Sequence, residues 1–195
     1  MVYLIACDHV KEQTYPEGIA LDDPRNTTQR EFRDLLIKAI EKHAPSLIAE
    51  EHNEDGLKRK NLRSVAREVA SEMGIQHRLC EQSIEAKIAR GLNGVPNVPP
   101  WDRHKAMYKY FLSEWPIRED FWIEQMSYNL YLRVLFICGM GHRETLRRRL
   151  ERYGIPVRIV YKGQKTARRV DQSDFPAYKA AYRDLRKASR RVSTL

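Results

Sequence analysis

The chain has 195 residues, of which 42% are hydrophobic and 31% charged, and its formal net charge is +9. That size suits one α/β domain with a full core and leaves two small domains open, and the mixture is that of a globular chain with more charge than usual. No apolar run approaches the roughly 20 residues of a membrane-spanning helix, so no membrane partner is expected.

Val2–Cys7 predicts a first strand that ends in Asp8-His9. Met1 leads straight into it, without the basic and long apolar segments of a signal peptide, so a cytoplasmic location is expected. Residues 8 to 26 read as a polar loop, long enough to act as a flap. Asn26-Thr27-Thr28 offers caps for a helix over Gln29–His43, whose Phe32, Leu35, Leu36, Ala39 and Ile40 keep a helical spacing. Ala44-Pro45 ends it. Ser46–Glu50 predicts a second strand, followed by Glu51-His52. A helix over Leu57–Met73 stops at Gly74. Ile75–Cys80 is the third strand, ending at Glu81, and Ser83–Ala89 a short helix.

Residues 91 to 100, rich in glycine and proline, predict a loop that could gate a site. Asp102–Leu112 and Ile117–Leu132 predict two helices, with Pro116 at the start of the second. Arg133–Cys138 is continuously apolar after its arginine, the pattern of a strand buried on both faces. Gly139-Met140-Gly141-His142 follows. His142–Tyr153 predicts a helix, Pro156–Tyr161 the last strand, and residues 177 to 189 a final helix.

Strands and helices alternate, which predicts a mostly parallel central sheet of about five strands flanked by helices. Residues 1 to 161 read as a single α/β domain, and residues 162 to 195 as a basic C-terminal helix or tail. Four of the strands end in acids or histidine. In a parallel sheet those ends share one edge, where open α/β folds place their sites.

Glu50-Glu51 is an adjacent pair of acids. Successive strand residues point to opposite faces, so both enter one site only if the strand has already ended there. One glutamate is expected to face the crevice and the other to pair with an arginine. The glycines of Gly139-Met140-Gly141-His142 permit a tight turn and close backbone approach, but no phosphate-loop signature follows. His142 then stands at a helix N-terminus, as a metal ligand, a base or a packing residue. Asp8 and His9 add an acid and an imidazole. Glu81 is a further candidate, as a ligand or as a partner for Arg118, and Arg118-Glu119 could project into the crevice or form a surface ion pair. His43, His52, His77 and His104 read as structural or surface residues.

Cys7, Cys80 and Cys138 form no CxxC pair, which argues against a disulfide framework or thiolate zinc site. They read as small buried residues, with a nucleophilic cysteine as the minor alternative. The excess positive charge is late, at Arg143, Arg147, Arg148, Arg149 and Arg152 and through the tail. It reads as a solvated face or as an attraction for nucleic acid.

Tyr3-Leu4-Ile5-Ala6-Cys7-Asp8-His9 resembles the opening strand and histidine turn of the TraB/TIKI/ChaN/erythromycin-esterase-like superfamily. Leu47-Ile48-Ala49-Glu50-Glu51 is similar to its second strand with terminal glutamate. Phe136-Ile137-Cys138-Gly139-Met140-Gly141-His142, with Leu146, Leu150, Gly154 and Val157, looks like its Gly-x-x-His turn, helix and last strand. The resemblance implies a compact α/β fold in which His9, Glu50 or Glu51, and His142 are the functional residues. Its members include metal-dependent peptidase-like enzymes, macrolide esterases and haem-binding proteins. This chain departs from the pattern with Cys7-Asp8 before His9, where the family usually has glycine.

The leading expectation is a metal-assisted hydrolase of ester, amide or related bonds, with a small-molecule or peptide substrate. A divalent Mn, Fe, Co or Zn ion would be held by His9, His142 and Glu50 or Glu51, with the spare glutamate as base and Arg118 stabilising negative charge. Gly139 and Gly141 would shape the turn beside the cofactor. A metal-free esterase with His9 or His142 activating water uses the same residues. So does a haem- or ligand-binding module, or a phosphodiester-cleaving enzyme with a basic tail.

Overall fold

The computed structural model describes residues 1–8, 11–92, 99 and 103–161, with the backbone alone at residues 103–105, 107 and 108. Two compact units emerge from the contacts. The first contains the described residues of Met1–Ile84 and Asp120–Gln164, the second those of Glu85–Glu119. The predicted tail helix and most of the predicted 91–100 loop lie outside the described residues.

The first unit is built on a five-stranded sheet. Its strands are β1 (Val2–Cys7), β3 (Leu47–Glu50), β5 (Gln76–Leu79), β6 (Val134–Gly139) and β7 (Val157–Tyr161), in the order β5-β3-β6-β1-β7. Every pairing in it is parallel, as expected of an α/β fold. β1 and β6 are buried along their whole length, which their unbroken apolar sequences require.

The helices cover the sheet from both sides. α1 (Thr27–His43) and α3 (Val65–Glu72) pack with Tyr3, Ile5, Ile48, Leu135 and Ile137. On the other face, α6 (Arg143–Arg152) and the end of α5 (Arg103–Met126) pack with Val2, Leu4, Leu47, Ala49 and Phe136. β6 thus sends the chain to one face, while its neighbours β1 and β3 send it to the other. That reversal makes the carboxyl end of β6 the topological switch point, the place where open α/β sheets put their sites.

Three predicted boundaries change. The helix expected over Leu57–Met73 is α2 (Glu54–Arg59), a short strand β4 (Leu62–Ser64) and α3. Asn61 stops α2 in the left-handed region at φ 49°, and the Ser64 hydroxyl caps α3 by accepting the Arg67 N–H. β4 pairs antiparallel with β2 (Thr14–Pro16), a strand inside the segment expected to be loop. The two helices expected on either side of Pro116 are one, α5, with Pro116 inside it. The ring removes one backbone bond, while buried Phe111, Trp115, Trp122, Ile123 and Met126 continue the apolar pattern through it. Among the described residues no helix is long and apolar enough to cross a membrane.

Candidate functional site

Strand alternation decides where the two adjacent glutamates go. Ile48 and Glu50 face α3, whereas Ala49 points to the α5–α6 side. Glu51 continues the alternation past the end of β3 and reaches the α6 side. The two carboxylates therefore leave opposite faces of one sheet edge.

Glu50 has no exposed surface. Its Oε1 accepts the Ser64 hydroxyl at 2.5 Å and lies 2.9 Å from His77 Nε2. His77 sits on β5 in register with Ile48, so it shares the face that Glu50 occupies. Glu50 Oε2 has no hydrogen-bond partner among the described residues. Burial pushes this carboxyl up. The hydrogen bond from His77, the charges of His52 and His77, and the Ser64 hydroxyl outweigh it and hold the group below the ordinary glutamate range.

Glu51 is buried on the other side. Its Oε2 accepts the Gly139 N–H at 2.9 Å, and its Oε1 lies 3.5 Å from His142 Nε2. The backbone of β6 thus anchors the carboxylate that meets the imidazole. His142 is 4% exposed. Its ring meets Trp122 edge-on, with centroids 4.7 Å apart and planes at 72°. His142 closes the short turn Met140–His142 that leads into α6. Gly139 is extended, with φ −62° and ψ 147°, and neither Gly139 nor Gly141 has the positive φ that only glycine takes easily. What Gly139 contributes is its amide.

The other expected residues are spread around this edge. Asp8 Oδ1 accepts the Lys11 N–H, and the Asp8 N–H donates to Glu12 Oε2 at 2.5 Å. Glu12 is buried and also accepts the Tyr161 hydroxyl at 2.9 Å. Glu81 is buried, with Oε1 accepting the Gln82 N–H. Arg118 and Glu119 belong to the second unit, where Arg118 donates to the Tyr110 hydroxyl at 2.9 Å and Glu119 is buried. His9 lies outside the described residues.

Cys7 ends β1 on the Glu50 side, and its sulfur accepts the amide of fully buried Gln13 at 3.0 Å. Burial pushes the Cys7 thiol well up. The Gln13 hydrogen bond opposes this, while Glu12, Glu50 and Glu51 add to it. Burial also pushes Cys80 up, to about 12. These are protonated thiols: carboxylates add to the burial of Cys7, and the Arg78 charge beside Cys80 does not outweigh its burial.

His77, Ser64, Glu12 and Trp122 complete the edge, and sequence reading had assigned none of them to it. Ser64 carried one signal, a hydroxyl immediately before the apolar pattern Val65, Ala66, Val69, Ala70. His77 carried a weaker one, as a polar residue at an inward strand position.

Carboxylate and imidazole donors suit a divalent transition metal by chemistry. Among the described residues, however, no group of three or more His, Cys, Asp or Glu side chains is arranged to hold an ion. Glu50 and Glu51 diverge, and each is engaged by donors of the protein. On the α6 helix, Arg147 pairs with Glu144 and Glu151, and Arg149 with Asp120 at 2.7 Å. Much of that positive stripe is therefore neutralised locally.

No family model, curated protein or solved structure matches the chain.

Proposed function

We propose that the carboxyl-end rim of the first unit is a hydrolytic site that activates water through a carboxylate–imidazole pair and cleaves an ester, amide or related bond. The observation that carries this reading is Glu51, fixed by the Gly139 amide and facing His142. A buried carboxylate that orients an imidazole favours one ring position and stabilises the imidazolium formed when the ring takes a proton. In this scheme His142 removes a proton from water as the oxygen adds to the scissile carbonyl. The imidazolium then returns the proton to the departing oxygen or nitrogen. Trp122 buttresses the ring and keeps water from its far side. The scheme assigns each of its steps to these side chains.

Hydrolysis of chromogenic esters and anilides by the purified full chain, with and without chelator, tests this. The reading expects turnover that survives chelation and falls about a hundredfold or more in His142→Ala. No turnover of either class, or turnover undiminished in His142→Ala, contradicts it. Activity lost on chelation and restored by manganese or zinc favours the metal-assisted alternative.

A further inference from the structure

A groove of about 500 Å³ runs between α1 and β7, the edge strand beside β1. Leu35 and Ala39 of α1 and Val160 of β7 supply apolar lining. Glu31, Asp34, Lys38 and Lys42 also line it. They stand three or four residues apart and so form one stripe along α1, acids in its first half and lysines in its second. Arg158 lines the groove from β7. It pairs in register with Tyr3, whose ring stacks on His43 with centroids 4.2 Å apart.

The cationic end of this groove is without counter-charge. Among the described residues Lys38, Lys42 and Arg158 make no ion pair. Lys42 suits the carbonyl end of α1, where positive charge is favourable. Lys38 stands more than a turn earlier and Arg158 comes from the sheet, so neither serves that helix end. His43 lines the same end and is only 7% exposed. Its backbone carbonyl accepts from Arg133, but neither ring nitrogen has a hydrogen-bond partner among the described residues, and neither is sealed from the surface. Burial, with the charges of Arg158 and Lys42, holds this imidazole below the ordinary histidine range. It is therefore neutral near pH 7, with one N–H to donate.

We propose that the groove binds a phosphate monoester with a short apolar stem, its head among Lys38, Lys42, Arg158 and His43 and its stem along Leu35, Ala39 and Val160. Three cations from two elements and an imidazole N–H match a tetrahedral dianion with three outer oxygens, whereas a planar carboxylate offers two. Glu31 and Asp34 repel the head from the other half of the groove and so fix its direction. Tyr3 and Arg158 lie near the amino ends of their strands, the opposite end of the sheet from Glu51 and His142. The proposal does not rest on the hydrolase reading.

The test is equilibrium binding of hexyl phosphate, inorganic phosphate, hexanoate and 1-hexanol to the full chain at pH 8 and constant ionic strength. Hexyl phosphate should bind saturably and at least tenfold more tightly than the other three. Arg158→Gln should weaken it roughly tenfold or more, while Arg59→Gln, at an exposed cation outside the groove, should leave it unchanged. In the unmodified protein the His43 ring-proton resonance should titrate at higher pH when hexyl phosphate is bound, because a dianion favours the imidazolium. That readout keeps the test decisive if a variant fails to fold. Equal binding of any of the other three probes, an Arg158→Gln no weaker than Arg59→Gln, or an unmoved His43 titration overturns the proposal.

Discussion

Glu50 and Glu51 are consecutive in sequence, yet their carboxylates sit on opposite faces of one sheet edge, Glu50 against Ser64 and His77 and Glu51 against Gly139 and His142. The backbone between them is tightly held. The Glu50 carbonyl accepts N–H groups from both His52 and Cys80, and the Glu51 N–H donates to Ile137. A disturbance on one face is thus one peptide away from the imidazole on the other.

Ser64 serves two partners, as the cap of α3 and as a donor to Glu50. Ser64→Ala removes both and leaves Glu50 less well satisfied. The expected loss is roughly 2–4 kcal/mol of unfolding free energy, read from urea denaturation. A loss below about 0.5 kcal/mol would show that neither bond matters in solution.

Glu50 also sets a pH dependence. Its folded carboxyl lies below the ordinary value of 4.5, so the unfolded chain takes up a proton first as pH falls. Stability from this group is fully present above that value and is lost as pH drops through the folded one. The urea midpoint of the wild type should fall on acidification from pH 5 more steeply than that of Glu50→Gln. Parallel curves would rule out a stabilised Glu50 anion.

The three cysteines are buried, and the thiols of Cys7 and Cys80 are pushed upward. Native protein at pH 8 should therefore react with a disulfide reagent only as fast as it unfolds. A rapid stoichiometric reaction in the native state would reopen the nucleophilic-cysteine alternative.

Trp122 has no exposed surface and packs on Phe136 and His142. Trp122→Ala should cost roughly 3–5 kcal/mol through the cavity it leaves. Trp122→Phe should keep most of the stability while changing the packing at His142. A hydrolysis rate changed in Trp122→Phe without a matching stability loss would tie this ring to the site.

Much of this architecture was legible because it follows from periodicity. Val2–Cys7 and Val134–Gly139 are apolar on both faces and had to be central strands, and strand–helix alternation made the sheet parallel. The convergence of the β3 and β6 ends was legible for the same reason. The opposite directions of Glu50 and Glu51 were only half legible. Alternation predicts them, but the strand's last residue decides whether alternation still applies, and that depends on pairing with β5 and β6. His77 and Ser64 were not legible as partners of Glu50, because their approach depends on the β3–β5 register and on the break at Asn61. Pro116 was not legible as an interior residue of α5, because a proline is expected in the first turn of a helix rather than inside it.

The most direct test of the account is a double-mutant cycle on hydrolysis, comparing Glu51→Gln, His142→Ala and the double variant against wild type, each checked for folding. If Glu51 acts by orienting His142, either single change removes most of the rate and the double variant is little worse than His142→Ala alone. Fully additive losses, or a wild-type rate in either single variant, would contradict it.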